Sequence, residues 1–236
     1  ARSDRGGARM IRALLIGVML LSAQAAAQDP PCRICDATVV TLMELYTPGA
    51  LAAVPDIETR IAARVVALNA SLRDSGTGVR VVLVHREQMD FGGIGGLDLL
   101  AAMRSDAHVA ALRDAVQADL VGVWDDRATS VGIGPFETPL SPDLAFHVIN
   151  TGADPHVFSH EIGHNFGVPH EAGVCNTGEP AFRDIMTLCP GATFLPPLVE
   201  LFTNPSITYL GVPFGSSTQD AAFTIALNAP VIAGYR

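Results

Sequence analysis

His160-Glu161-Ile162-Gly163-His164-Asn165-Phe166-Gly167-Val168-Pro169-His170 fits H-E-x-x-H-x-x-G-x-x-H at every fixed position. On a helix, residues four apart share a face, so His160 and His164 can offer ring nitrogens to one metal ion while Glu161 reaches a water beside it. Gly167 lets the backbone turn sharply, because only glycine takes positive φ at no steric cost, and the turn brings His170 round as a third ligand. Five fixed residues, each with a background frequency of a few per cent, coincide by chance in a chain this size with a probability on the order of 10⁻⁵. Three protein ligands leave a fourth position open, which is the arrangement of a catalytic zinc rather than a structural one.

The residues around the motif favour a helix. Asp154 is a candidate N-cap, and Pro155 suits the first helical position, whose N–H has no intrahelical partner. Val157, Phe158 and Ile162 give the helix an apolar side, and Gly167 gives it a stop. The metal-binding helix is therefore predicted over about 155–166. His156, one turn before His160, reads as a surface or capping residue, since three histidines and a water complete a zinc.

Upstream, Thr38 to Leu45 is an apolar, β-branched run suited to a buried strand and ended by Thr47-Pro48-Gly49. Asp56 can cap a helix in which Ile57, Ile61, Val65, Leu68 and Leu72 form one apolar stripe before Ser75-Gly76. Val79 to His85 is the next strand, which makes a βαβ unit with a parallel, right-handed crossover. A helix from about Asp106 to Gln117 and a strand from Leu120 to Trp124 repeat the pattern, and short strands are expected near Val131 to Ile133 and Ala145 to Asn150. The predicted class is α/β (α+β): a twisted, mostly parallel sheet with helices, then the metal helix and a loop-rich C-terminal part. Gly92-Gly93-Ile94-Gly95-Gly96 reads as a turn, because a calcium-binding glycine repeat needs aspartate where Leu97 stands. His85, His108 and His147 lack ligand spacing and read as structural.

The first residues carry an address. Arg12 after Met10, an apolar run from Ala13 to Leu21 and small residues through Ala27 read as a secretory signal peptide cleaved after Ala27. The apolar run is shorter than the ~20 residues a membrane span needs, and no lipoprotein attachment box precedes Cys32. Residues before Met10 are set aside as a mis-set start or an added segment. A single catalytic domain over 28–236 is expected, located outside the cell or in the periplasm. The chain's formal charge is −9 and the leader carries Arg2, Arg5, Arg9 and Arg12 against Asp4, so the mature part stands at −12. That charge argues against nucleic acid or an anionic membrane as partner. Four cysteines in an exported chain favour two local disulfides, Cys175 with Cys189 and Cys32 with Cys35.

The zinc motif followed by Arg183-Asp184-Ile185-Met186-Thr187 resembles the metzincin clan of zinc endopeptidases, whose Met-turn packs a methionine beneath the zinc ligands. Within the clan, Asn165, Phe202-Thr203-Asn204-Pro205 and Gly211-Val212-Pro213 resemble reprolysin-like and bacterial peptidyl-Asp metalloendopeptidase catalytic domains. Leu227-Asn228 and Val231 to Arg236 look like their final helix, and the likeness covers most of the chain from Val39 onward. Two residues depart from the pattern. Glu171 stands where reprolysin-like enzymes usually have aspartate, which is closer to astacins, yet Thr187-Leu188-Cys189 lacks the tyrosine that astacins place after the methionine.

The resemblance implies a monomeric enzyme that hydrolyses internal peptide bonds of protein or peptide substrates. One catalytic Zn2+ is held by His160, His164 and His170, with Glu161 as general base and then acid, and Met186 and Gly167 as structural support. The substrate is expected along an edge strand near Val131 to Phe136, against a pocket wall around Thr193 to Pro197. A structural calcium has no support in the sequence. In some relatives a pro-segment cysteine occupies the open zinc position, an alternative role for Cys32 or Cys35. Two rival readings are a non-catalytic binding module on the same fold, against which the intact Glu161 speaks, and a protease dedicated to one protein target.

Overall fold

A five-stranded sheet organises the chain. The computed structural model describes residues 37–127, 132–135 and 139–236. The leader, Cys32, Cys35, Val131 and Phe136 lie outside the described residues. The strands are β1 (Thr38–Tyr46), β2 (Val79–Gln88), β3 (Leu120–Asp125), β4 (Gly132–Ile133) and β5 (Phe146–Asn150). β1 pairs in parallel with β2 and β3, and β3 with β5, while β4 closes one edge antiparallel to β5. This is an α+β fold on a mixed, mostly parallel sheet.

Alternation along the strands sends side chains to two helical layers. Val40, Leu42 and Tyr46 of β1 join a core with α2 (Ile57–Asp74), α5 (His156–Asn165) and α6 (Ala221–Ile232). Met43 and Leu45 face the other way, towards α3 (Gly96–Ser105) and α4 (Ala107–Val116). The stripe of α2 is buried as its spacing requires: Ile57, Ile61, Val65, Leu68 and Leu72 are all in the core, each contributing about 1.5–3 kcal/mol of transfer free energy.

Some local expectations need correction, while the helix expected from about Asp106 to Gln117 and the turn at Gly92-Gly93 are present. Asp56 stands at the start of α2, but its side chain makes no capping hydrogen bond. The metal helix opens on Pro155 at the cap position, and Asp154 contributes its backbone carbonyl, which accepts from the Val157 N–H, rather than a side-chain cap. Thr47-Pro48-Gly49, besides ending β1, starts a further helix, α1 (Pro48–Ala53): the Thr47 hydroxyl caps the Ala50 N–H and Pro48 takes the first turn. The glycine-rich segment leads directly into α3, which begins at Gly96. α4 stops at Gln117, in the left-handed conformation, with Asp106 capping its start through the His108 and Val109 amides. The last helix, α6, starts at Ala221 and ends at Ile232, earlier than the resemblance implied.

Candidate metal centre

α5 lies across the sheet with Val157, Phe158 and Ile162 buried beneath it, and its end sets the geometry of the site. Gly167 has φ +82°. Its N–H donates to the His164 carbonyl (2.8 Å) and the Val168 N–H to the Gly163 carbonyl (3.0 Å), the two bonds of a Schellman turn. The turn does two further things. It aims the Val168 carbonyl at His164 Nδ1, 2.7 Å away, and it carries the chain on to His170. A methyl group at Gly167 would meet Asn228 Nδ2 at 2.9 Å, and that amide of α6 donates to the Phe166 carbonyl (2.8 Å).

His160, His164 and His170 form the one group among the described residues whose side chains could together hold a metal ion. Nε2 of His170 lies 3.1 Å from Nε2 of both His160 and His164. Ligands of a tetrahedral zinc with bonds of ~2.0–2.1 Å stand roughly 3.3 Å apart, so the spacing fits. His160 Nδ1 donates to the Ile185 carbonyl (2.8 Å), as His164 Nδ1 does to that of Val168. Each bond fixes the tautomer that leaves the Nε2 lone pair for a metal, the usual device for orienting a ligating histidine. Burial, with the neighbouring imidazoles, keeps His160 and His164 neutral, with pKa values pushed down to about 4 and about 3. A set of three imidazoles suits zinc and does not suit calcium, which takes oxygen ligands.

Glu161 is 4% exposed. Burial pushes its pKa up to about 8, opposed by the backbone N–H of Gly134. The carboxylate lies against β4 so closely that a methyl group on Gly132 would stand 2.3 Å from Oε1. Beneath the helix, Met186 is fully buried, and a methyl group on Gly163 would meet its Sδ at 2.5 Å. Asp184, also fully buried, accepts from the Val174 (3.2 Å) and Thr187 (2.9 Å) amides and so ties the segment after His170 to the one containing Met186. The disulfide Cys175–Cys189 spans the same segments, as the sequence reading expected.

His156 stays out of the cluster; it is half-buried and lines a small cavity with Arg64, Ser159, Ile185 and Glu200. His85 pairs with Glu87 on β2 (3.0 Å), near the exposed His108. His147 is fully buried between Glu44 and Asn165. The contacts of Glu44, Asp184 and Asn228 are not legible in the sequence, because they are made across the fold.

Residues 58–171, which include the whole motif, match the family model described as metallo-peptidase family M12B, reprolysin-like. The peptidyl-Asp metalloendopeptidase of Pseudomonas aeruginosa is 29% identical over 182 residues, covering 68% of this chain and 29% of that protein. A solved structure described as a chaperone-substrate complex superposes with a TM-score of 0.74 at 18% identity, covering 85% of this chain and 36% of the other. That likeness speaks for the fold, and the chain spans about a third of each match's length. Together with the histidine cluster, the comparisons show a distant likeness to the reprolysin-like metallopeptidases.

Proposed function

We propose that the protein is a secreted zinc-dependent endopeptidase of the metzincin type, acting as a monomer on internal bonds of protein or peptide substrates. The observation that carries this reading is the convergence of three Nε2 atoms, at 3.1 Å in two pairs, with a buried carboxylate next in sequence to one of the ligands. Zinc held by His160, His164 and His170 would supply Lewis acidity towards a scissile carbonyl and lower the pKa of a water towards ~7.

The remaining work falls to the chain's own groups. Glu161 accepts the water's proton and passes it to the leaving amine. Burial holds its pKa well above the usual carboxylate range, at about 8, close to the range in which one group can serve as base and acid in turn. β4, at the sheet edge, offers backbone groups to an extended substrate, and the exposed Phe194 and Leu195 offer an apolar wall. Met186, packed against Gly163, takes the part of the Met-turn methionine.

Within the clan, the relative from Pseudomonas aeruginosa supports placement near the bacterial peptidyl-Asp metalloendopeptidases. The Cys175–Cys189 bridge and the leader-like run before residue 28 support export to an oxidising compartment. Turnover of casein by the purified protein tests the reading. Hydrolysis should stop on chelation and return with zinc, and turnover indifferent to chelator would overturn it.

A further inference from the structure

A buried polar chain crosses the sheet beneath α5. Glu44 lies in β1 and His147 in β5, both 0% exposed, and both face the layer that contains α5. The Trp124 indole N–H donates to Glu44 Oε2 (2.9 Å), and His147 Nε2 lies 2.9 Å from Glu44 Oε1. On its other side His147 Nδ1 lies 2.9 Å from Asn165 Oδ1. The Asn165 amide donates to the carbonyls of Phe146 (3.0 Å) and Leu144 (3.2 Å). β3 makes room with Gly122, where a methyl group would stand 2.3 Å from His147 Nε2 and 2.4 Å from Glu44 Oε2.

The protons in this chain follow from its geometry. Both amide hydrogens of Asn165 point at carbonyls, so its oxygen faces His147 and Nδ1 must carry a proton. The contact between Nε2 and Oε1 needs one more proton, on either partner, and both placements leave the pair neutral as a unit. Stability alone is a poor reason for such an arrangement, because well-packed apolar residues of similar volume fill a core equally well or better. A polar chain does fix its members in one mutual register. Its far end is the last residue of α5. Asn165 follows His164 directly, and the turn after it aims the Val168 carbonyl at His164 and delivers His170.

We propose that Glu44, His147 and Asn165 are positioning residues for the histidine cluster. Anchored through three strands, they set the depth and rotation of the C-terminal turn of α5, so that His164 and His170 reach metal-binding spacing together. None of the three is a metal ligand. The inference rests on the zinc-site reading above and names what holds that site in shape.

Zinc affinity of the folded full chain, measured by competition with a chromophoric chelator, tests it alongside thermal melts in excess chelator. Glu44→Leu and Asn165→Leu should weaken zinc binding by about tenfold or more, while Glu44→Gln should stay within about threefold of wild type, the scale being that of partners that support metal ligands. The rescue is expected because a glutamine carbonyl can accept from Trp124 while its amide donates to His147. A role confined to stability would lower the chelator melt and leave the affinity of folded protein unchanged, which would overturn the proposal. So would Glu44→Gln binding as weakly as Glu44→Leu. Where the leucine variants do not fold, Gly122→Ala pushes on the same contact from β3 and should weaken zinc binding; wild-type affinity in that variant would count against the proposal. Failure of the wild type itself to bind zinc would instead overturn the metal-site reading, and this inference with it.

Discussion

Gly132→Ala probes the catalytic assignment without touching a ligand. A methyl group at residue 132 would stand 2.3 Å from Glu161 Oε1, 2.6 Å from Cγ and 2.7 Å from Cδ, whereas ordinary contact begins at 3.4 Å. The strand has little freedom to withdraw, since Gly132 and Ile133 are paired to Ile149 and Val148 of β5. The Glu161 side chain must therefore yield, by roughly 1 Å, and a displacement of that size at a reacting group costs on the order of 10²-fold in rate. In free energy that is about 2.7 kcal/mol of transition-state stabilisation. Backbone donors and acceptors of β4 are unchanged, so the loss should fall on kcat rather than KM, with zinc content equal to wild type. A fluorogenic peptide assay with parallel metal analysis reads all three quantities. Wild-type kcat in a folded, zinc-loaded Gly132→Ala protein would refute the placement of Glu161 as the proton-transfer group.

The pH dependence of stability should carry the mark of Asp184. Burial, opposed by the Thr187, Met186 and Val174 amides, raises its pKa from 3.8 to about 6, so between those values the native state holds more protons than the unfolded chain and stability falls as pH rises. The total is about 3 kcal/mol, present below pH ~4 and lost by pH ~7. Subtracting the Asp184→Asn stability profile from that of wild type should isolate this fall, and a flat or rising difference would contradict it. Opening the Cys175–Cys189 bridge, which separates residues 14 apart, should cost about 3 kcal/mol and lower the melting temperature by roughly 6–12 °C. Peptide turnover should weaken under reductant at temperatures where the sheet is still folded; an unchanged melt and turnover would show that the bridge constrains nothing that matters.

What could be read from the sequence was local in character. The α2 stripe, the parallel strands and the turn at Gly167 follow from spacings within a few residues, and His160 and His164 announce themselves by their interval along one helix, with His170 just past the glycine turn. α3 was hidden because it starts on a glycine after a glycine-rich run, although Leu99, Leu100 and Met103 carry helical spacing. α1 had a usable signal in Thr47-Pro48, a cap followed by a first-turn proline. The support beneath the site was out of reach for a different reason. Glu44 and His147 are 103 residues apart and meet only because β1 and β5 flank β3. The one clue was a carboxylate inside an otherwise apolar strand, Leu42-Met43-Glu44-Leu45.

Glu161→Ala separates the two roles assigned to the site, zinc binding by the three histidines and proton transfer by Glu161. Zinc content and peptide turnover should be measured on the same preparations of wild type and variant. About one zinc per chain is expected in both, with turnover reduced by ~10² to 10⁴-fold in the variant alone. Turnover above a tenth of wild type in the zinc-loaded variant, or a wild-type protein that hydrolyses peptides without zinc, would contradict these assignments.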